Sequence, residues 1–166
     1  MNMIEKAKTF ATKAHEGQVR KYTGVPYIVH PIEVSEIVAE YNGSQEMIAA
    51  ALLHDVVEDT DVTIEEIRSE FGNSVASLVD DLTDVSKLED GNRAVRKAMD
   101  REHTAKASAA AMVVKAADLI SNGRDIKVND PSFAKIYLKE MNLLLDKMFK
   151  IKEMEIYKVA KGVVKI

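Results

Sequence analysis

The sequence predicts an all-α fold, and three features of the 166-residue chain point that way. Apolar residues recur at helical spacing in nearly every segment. The 3 prolines and 7 glycines are few, and most fall where helices should start or stop. Side chains that cap helix N-termini precede several of these segments.

The first helix is expected from about Asn2 to His15, with Ile4, Ala7, Ala11 and Ala14 on one stripe and Gly17 ending it. Gln18 to His30 reads as a loop punctuated by Gly24 and Pro26, and Pro31 disfavours helical geometry at His30. Pro31 then opens a helix to about Tyr41, before Asn42-Gly43. Ser44 is placed to cap a third helix through about Asp59, apolar on most sides as a buried central helix is. Thr63-Ile-Glu-Glu66 has the pattern of a capping box, starting a short helix that ends near Phe71-Gly72. Asn73 is expected to cap the next, through about Val85. The charged stretch from Lys87 to Lys106 is expected to be helical around Arg93 to Glu102. Ser108 begins a strongly apolar helix through about Ile126. Asp130-Pro131 opens a long helix toward Lys150, broken before a last stretch near Val159. Only the β-branched tail, Gly162-Val-Val-Lys-Ile166, has any strand character. The total is about eight to ten helices in one domain.

Composition narrows the function classes. A hydrophobic fraction of 46% supports a real core, which excludes disorder. The formal net charge of −4 argues against a nucleic-acid binder working through bulk charge. Without cysteine there is no disulfide framework, zinc ribbon or thiol nucleophile, and the chain suits a reducing cytosol. The longest apolar run, Met47 to Leu53, falls far short of the ~20 residues of a membrane span. The polar N-terminus lacks a signal-peptide core. A cytoplasmic protein is expected.

Neither a glycine-rich phosphate loop nor a Gly-x-Ser-x-Gly elbow is present. What stands out is Leu53-His-Asp-Val-Val-Glu-Asp-Thr60. His54 and Glu58 are four apart, as are Asp55 and Asp59, so each pair is expected on a similar helix face. Three carboxylates then gather at a helix C-terminus, where the dipole is already negative, and a divalent cation would offset them. Asp118 is a second anomaly, an acid inside the apolar run Met112 to Ile120, with Asn122 and Asp125 on its stripe. An acid there needs a partner, whether a metal or a salt bridge to Lys115 or Arg124. His30 is a third, held in Pro26-Tyr-Ile-Val-His-Pro31. Together His30, His54, Asp55 and Asp118 offer two nitrogens and two carboxylates, a mixed set suited to manganese, iron or zinc. His15 and His103 belong to no cluster in the sequence.

His30, His54-Asp55 and Asp118, in this order and spacing, resemble the HD phosphohydrolase superfamily. More narrowly, four segments resemble the hydrolase domain of RelA/SpoT proteins. These are Gly17-Gln-Val-Arg-Lys21, Pro26 to Pro31, Ala51 to Thr60, and Lys115-Ala-Ala-Asp118 with Asn122. In size the chain is similar to the stand-alone small alarmone hydrolases of the metazoan SpoT-homologue type. The likeness covers roughly residues 1 to 145.

The resemblance implies a single HD domain around one manganese ion, and hydrolysis of the 3′-pyrophosphate of guanosine tetra- and pentaphosphate. It implies His30, His54, Asp55 and Asp118 as metal ligands, with Glu58 and Asp59 positioning and deprotonating the attacking water. Arg20 and Lys21 would contact base and phosphates, and Asn122 the sugar. Three positions depart from the family pattern, Leu119 for a basic residue, Ser121 for His or Tyr, and Asp125 for a small group such as Thr. Asp125 falls where a base edge is read, which keeps an adenine alarmone or the 2′-phosphate of NADPH as alternative substrates. With no synthetase domain following, the chain is expected only to degrade. A further alternative is an antitoxin that neutralises a small alarmone synthetase. The cations around such a substrate would include Arg93, Arg96, Lys97, Arg101, Lys106 and Lys115, unless Arg93 to Lys106 is simply an exposed helix face.

Overall fold

The computed structural model describes residues 1–165, and among these it is all-α: ten α-helices, two short 3₁₀ turns and no strand. The helices are α1 (Met3–Ala14), α2 (Val29–Glu40), α3 (Gln45–Leu53), α4 (Val56–Asp59) and α5 (Ile64–Phe71). They continue as α6 (Asn73–Leu82), α7 (Arg93–Ala105), α8 (Ala109–Asn129), α9 (Pro131–Lys147) and α10 (Glu155–Val164). No helix is long and apolar enough to cross a membrane.

Local chemistry sets most boundaries. Asn2 and Glu5 close a capping box on α1, and Thr63 and Glu66 close one on α5. Ser44, Asn92, Ser108 and Asp130 each accept a backbone N–H at the start of a helix. Gly72, at φ 90°, makes the tight turn between α5 and α6. Asn73 is therefore the first residue of α6 and not its cap, and that helix stops at Leu82. The tail is also corrected: Gly162 to Val164 complete α10, and Ile166 lies outside the described residues.

Two departures from the sequence reading shape the site. The third helix does not run unbroken to Asp59. It ends at Leu53, and Asp55, at φ −102° and ψ −2°, sits near the bridge region before the single turn of α4. His30 is not a loop residue either. Pro26 and Tyr27 carbonyls accept from Val29 and His30 N–H, starting the helix early, and Pro31 falls in the first turn, where its missing N–H does no harm.

α8 is the axis of the bundle, packed by α2, α3, α6, α9 and α10. Met112, Val114, Ala116, Ala117, Leu119 and Ile120 are almost wholly removed from water, as is Ala49 to Leu53 of α3. Burying each large aliphatic side chain contributes roughly 1.5–3 kcal/mol. At Gly123 a Cβ would meet Val163 Cγ1 at 2.6 Å, so glycine lets α10 approach α8 closely. His30 on α2, His54 and Asp55 just after α3, and Asp118 on α8 are thus held by helices with little freedom to shift.

Candidate metal centre

α2, the α3–α4 junction and α8 deliver four side chains to one point. His30 and His54 are 1% and 3% exposed, with ring centroids 5.3 Å apart. One donor atom each from His30, His54 and Asp55 lie within 4.8 Å of one another, the one such grouping among the described residues. Asp118 faces both imidazoles, its Oδ1 2.9 Å from His30 Nε2 and 3.3 Å from His54 Nε2. Asp55 Oδ2 approaches His54 Nε2 at 3.1 Å and His30 Nε2 at 3.8 Å. The break after Leu53 lets the adjacent His54 and Asp55 point the same way, which a regular helix forbids.

The other ring nitrogens are engaged. His54 Nδ1 lies 2.6 Å from the Ala51 carbonyl, which only accepts, so this nitrogen carries the proton. His30 Nδ1 meets the buried Ser121 hydroxyl at 3.1 Å. Ser121, a departure from the family pattern, thus orients a candidate ligand. His54 Nε2 is buried without a hydrogen-bond partner. An orphaned imidazole nitrogen facing two carboxylates is the environment of a cation ligand, so the residues fit a divalent metal. Burial opposes charge on His54, yet Asp55 and Asp118 hold its pKa well above the ordinary value. Proton and metal therefore compete for the same lone pair. Burial also works to raise the Asp55 carboxyl, but His54 beside it brings it down to about 2.

The partner required for buried Asp118 is Lys115, at 3.4 Å from Oδ2, and not Arg124. Burial opposes charge on Lys115, while Asp118, then Asp84 and Glu58, keep it protonated. Asn122 donates to Asp118 Oδ1 at 3.0 Å and accepts from Arg20 at 3.1 Å. The same Arg20 nitrogen pairs with Asp125 Oδ2 at 3.1 Å, and Asp125 Oδ1 accepts from Asn129 at 2.8 Å. A polar chain thus joins the metal centre to the loop bearing Arg20 and Lys21. Lys21 is exposed, its ammonium 5.3 Å from the centroid of the Tyr22 ring. Leu119 is core, 2% exposed.

Glu58 and Asp59 stand at the edge of this centre. They line a cavity of about 740 Å³ with Asp84, Arg93, Arg96 and Lys97. Glu58 Oε1 accepts from the Asp84 N–H. Although Glu58 is open along the cleft, the protein around its carboxyl pushes the pKa up to about 7, with Asp84 adding to the rise. A second cavity of about 410 Å³, lined by Arg20, Lys21, Asn122, Asp125 and Tyr137, shares Arg93 with the first. The run from Arg93 to Lys106 is therefore mixed. Arg93 holds Glu140 through two bonds of 2.8 and 2.9 Å, Glu102 pairs with Lys147, and Asp100 is buried. Asp100 accepts from Val85 N, Ser86 N and Ser86 Oγ, fixing the loop that holds Glu58.

The sequence did not single out Tyr27, whose hydroxyl donates to Asp55 Oδ2 at 2.6 Å. Its signal was at hand, three residues before His30 in the same segment. Burial and the Asp55 carboxylate push the Tyr27 phenol above its ordinary pKa, so the proton stays on it.

An all-α bundle that brings a histidine, a His-Asp pair and a later aspartate to one buried point has the site of the HD-domain class. The HD-domain family model matches residues 7–142, and the chain belongs to that family. The guanosine-3′,5′-bis(diphosphate) 3′-pyrophosphohydrolase MESH1 of Xenopus tropicalis is 40% identical over 128 residues, 75% of this chain and 70% of that protein. The guanosine-3′,5′-bis(diphosphate) 3′-pyrophosphohydrolase of Vibrio cholerae is 48% identical over 85 residues, 51% of this chain. This alignment spans only 12% of that longer relative. A solved structure of a metazoan orthologue of SpoT, described as hydrolysing ppGpp, matches with a TM-score of 0.86 and 29% identity, over 98% of this chain and 94% of that one.

Proposed function

We propose that this chain is a metal-dependent hydrolase of the 3′-pyrophosphate of guanosine tetra- and pentaphosphate-type alarmones. The products are GDP or GTP and pyrophosphate. One observation carries the reading: His30, His54, Asp55 and Asp118 meet at one buried point, and Glu58 and Asp59, three and four residues after Asp55, line a cavity that also holds Arg93, Arg96 and Lys97. The printed activities of the relatives support the substrate class. The mixed nitrogen and oxygen set favours manganese over magnesium or calcium.

When bound, the cation lowers the pKa of a water and offsets charge on a phosphoryl oxygen. Glu58 and Asp59 orient the water and take its proton as its oxygen attacks the phosphorus on the ribose 3′ oxygen. The bond from that phosphorus to the 3′ oxygen breaks, the 3′ oxygen takes up a proton, and pyrophosphate leaves whole. Arg20 and Lys21 grip the nucleotide. Asp125, paired with Arg20 and held by Asn129, orients that arginine.

The test incubates the chelator-stripped protein, with and without Mn²⁺, with guanosine and adenosine alarmones and NADPH. Mn²⁺-dependent release of pyrophosphate from the guanosine substrates is expected. Orthophosphate from NADPH, or full activity in chelator, rejects the proposal.

Two further outcomes are expected. Arg20→Ala removes a charged contact worth roughly 1.5–3 kcal/mol, raising KM on the order of 10- to 100-fold with a smaller effect on kcat. Steady-state kinetics that show kcat falling while KM holds would exclude this role. The rate should also climb with pH up to about 7 and then level, because Glu58 accepts a proton only when ionised. Glu58→Gln should erase that limb from the pH–rate profile.

A further inference from the structure

His15 caps the C-terminus of α1 and is 2% exposed. Its Nδ1 lies 2.8 Å from Gln18 Oε1, while Gln18 Nε2 donates to the Asp59 backbone carbonyl at 2.8 Å. A carbonyl only accepts, so the Gln18 amide turns its NH₂ to Asp59 and its oxygen to His15. The imidazole proton on that side therefore sits on Nδ1. His15 Nε2 is left buried with no partner, which typically costs ~1–3 kcal/mol. An apolar side chain would pack here without that cost. What only the imidazole adds is the donor to Gln18.

The same ring packs on Tyr27, centroids 4.8 Å apart, and Tyr27 holds Asp55 Oδ2, the oxygen that faces both metal-site imidazoles. Asp55 is the N-cap of α4 and Asp59 its last residue, and the helix is four residues long. A single turn does not hold itself in water, and Asp55 gives it no side-chain cap. Its direction must be set from outside. Gln18 takes one of the orphan carbonyls at its C-terminus, and Tyr27 takes the carboxylate at its N-terminus.

We propose that His15, Gln18 and Tyr27 brace α4 as positioning residues, Tyr27 aiming the Asp55 carboxylate and the His15–Gln18 arm fixing the backbone from which Asp59 projects. The inference rests on the proposed roles of Asp55 at the cation and Asp59 at the water. Because Arg20 lies in the same loop, the substrate grip and the water-activating turn share one support.

The test uses the full chain with Tyr27→Phe, Gln18→Glu and Gln18→Met. Tyr27→Phe should weaken Mn²⁺ binding about 10-fold in a calorimetric titration without substrate, the low end for loss of a ligand's supporting bond. Both Gln18 variants keep Mn²⁺ affinity and KM, but lower kcat by ~10- to 100-fold and speed hydrogen exchange of the α4 amides. A lower Tm with Mn²⁺ affinity, kcat and α4 exchange all at wild-type values would overturn the brace. A wild-type protein that neither binds Mn²⁺ nor cleaves any 3′-pyrophosphorylated nucleotide rejects the proposed function instead. In that event α4 exchange, which needs neither ligand, still decides the brace.

Discussion

Asp55→Asn should remove the divalent cation and hydrolysis together. The substitution keeps the shape and an oxygen for Tyr27, but it deletes the charge beside His54 Nε2. Loss of an outer-shell partner commonly costs 10- to 100-fold in metal affinity, so loss of a charged ligand is expected to cost more than ~100-fold. Turnover should fall at least as far. Stability should change little, because Asp55 makes no capping bond and the fold rests on the apolar helices around it. Calorimetric Mn²⁺ titration, elemental analysis and a melting curve separate these outcomes. A variant that keeps wild-type Mn²⁺ affinity and rate removes Asp55 from the centre.

The residues of the candidate centre were legible because each breaks a local rule. A carboxylate inside the α8 core run, three acids at an expected helix end and a histidine before proline all contradict their surroundings. Sites built for chemistry keep such contradictions. Helix existence was legible for the opposite reason: capping residues and apolar period agree in α1, α5, α8 and α9. The interruption between α3 and α4 was not. Its residues have no proline or glycine, and the bend at Asp55 answers to where His54 and Asp55 must point together.

What failed to show in the sequence is mostly the support around these candidate residues. His15 belongs to no cluster along the chain, since its link to Asp59 runs through Gln18 and crosses 41 residues from there. Asp125 shows the same limit. Its place on the Asp118 stripe was readable, but its engagement with Arg20, 105 residues away, depends on how the loop folds back onto α8. The family departure at Ser121 likewise acquires a role only when α8 packs on α2 and brings its hydroxyl to His30.

Glu58→Gln and Asp59→Asn should behave differently from Asp55→Asn. Neither side chain belongs to the His30, His54 and Asp55 grouping, and both line the adjoining cavity. The metal is therefore expected to stay, with Mn²⁺ affinity within a few-fold of wild type. Hydrolysis should fall by ~10²-fold or more, the range for loss of a positioned general base. Of the two, Glu58 is set closer to the task. Its carboxyl is pushed up to about 7, near the pH at which a base both stays ionised and retains affinity for a proton. The Asp84 N–H fixes one of its oxygens, leaving the other for water. Asp59 is held only through its backbone, by Gln18, so its carboxylate keeps more freedom. The expected order of damage is Glu58→Gln above Asp59→Asn, with KM little changed in either. Parallel Mn²⁺ titration and single-turnover rates read the two quantities apart. If Glu58→Gln strips the metal as thoroughly as Asp55→Asn does, Glu58 is a ligand and the division between holding the cation and working on the water is wrong.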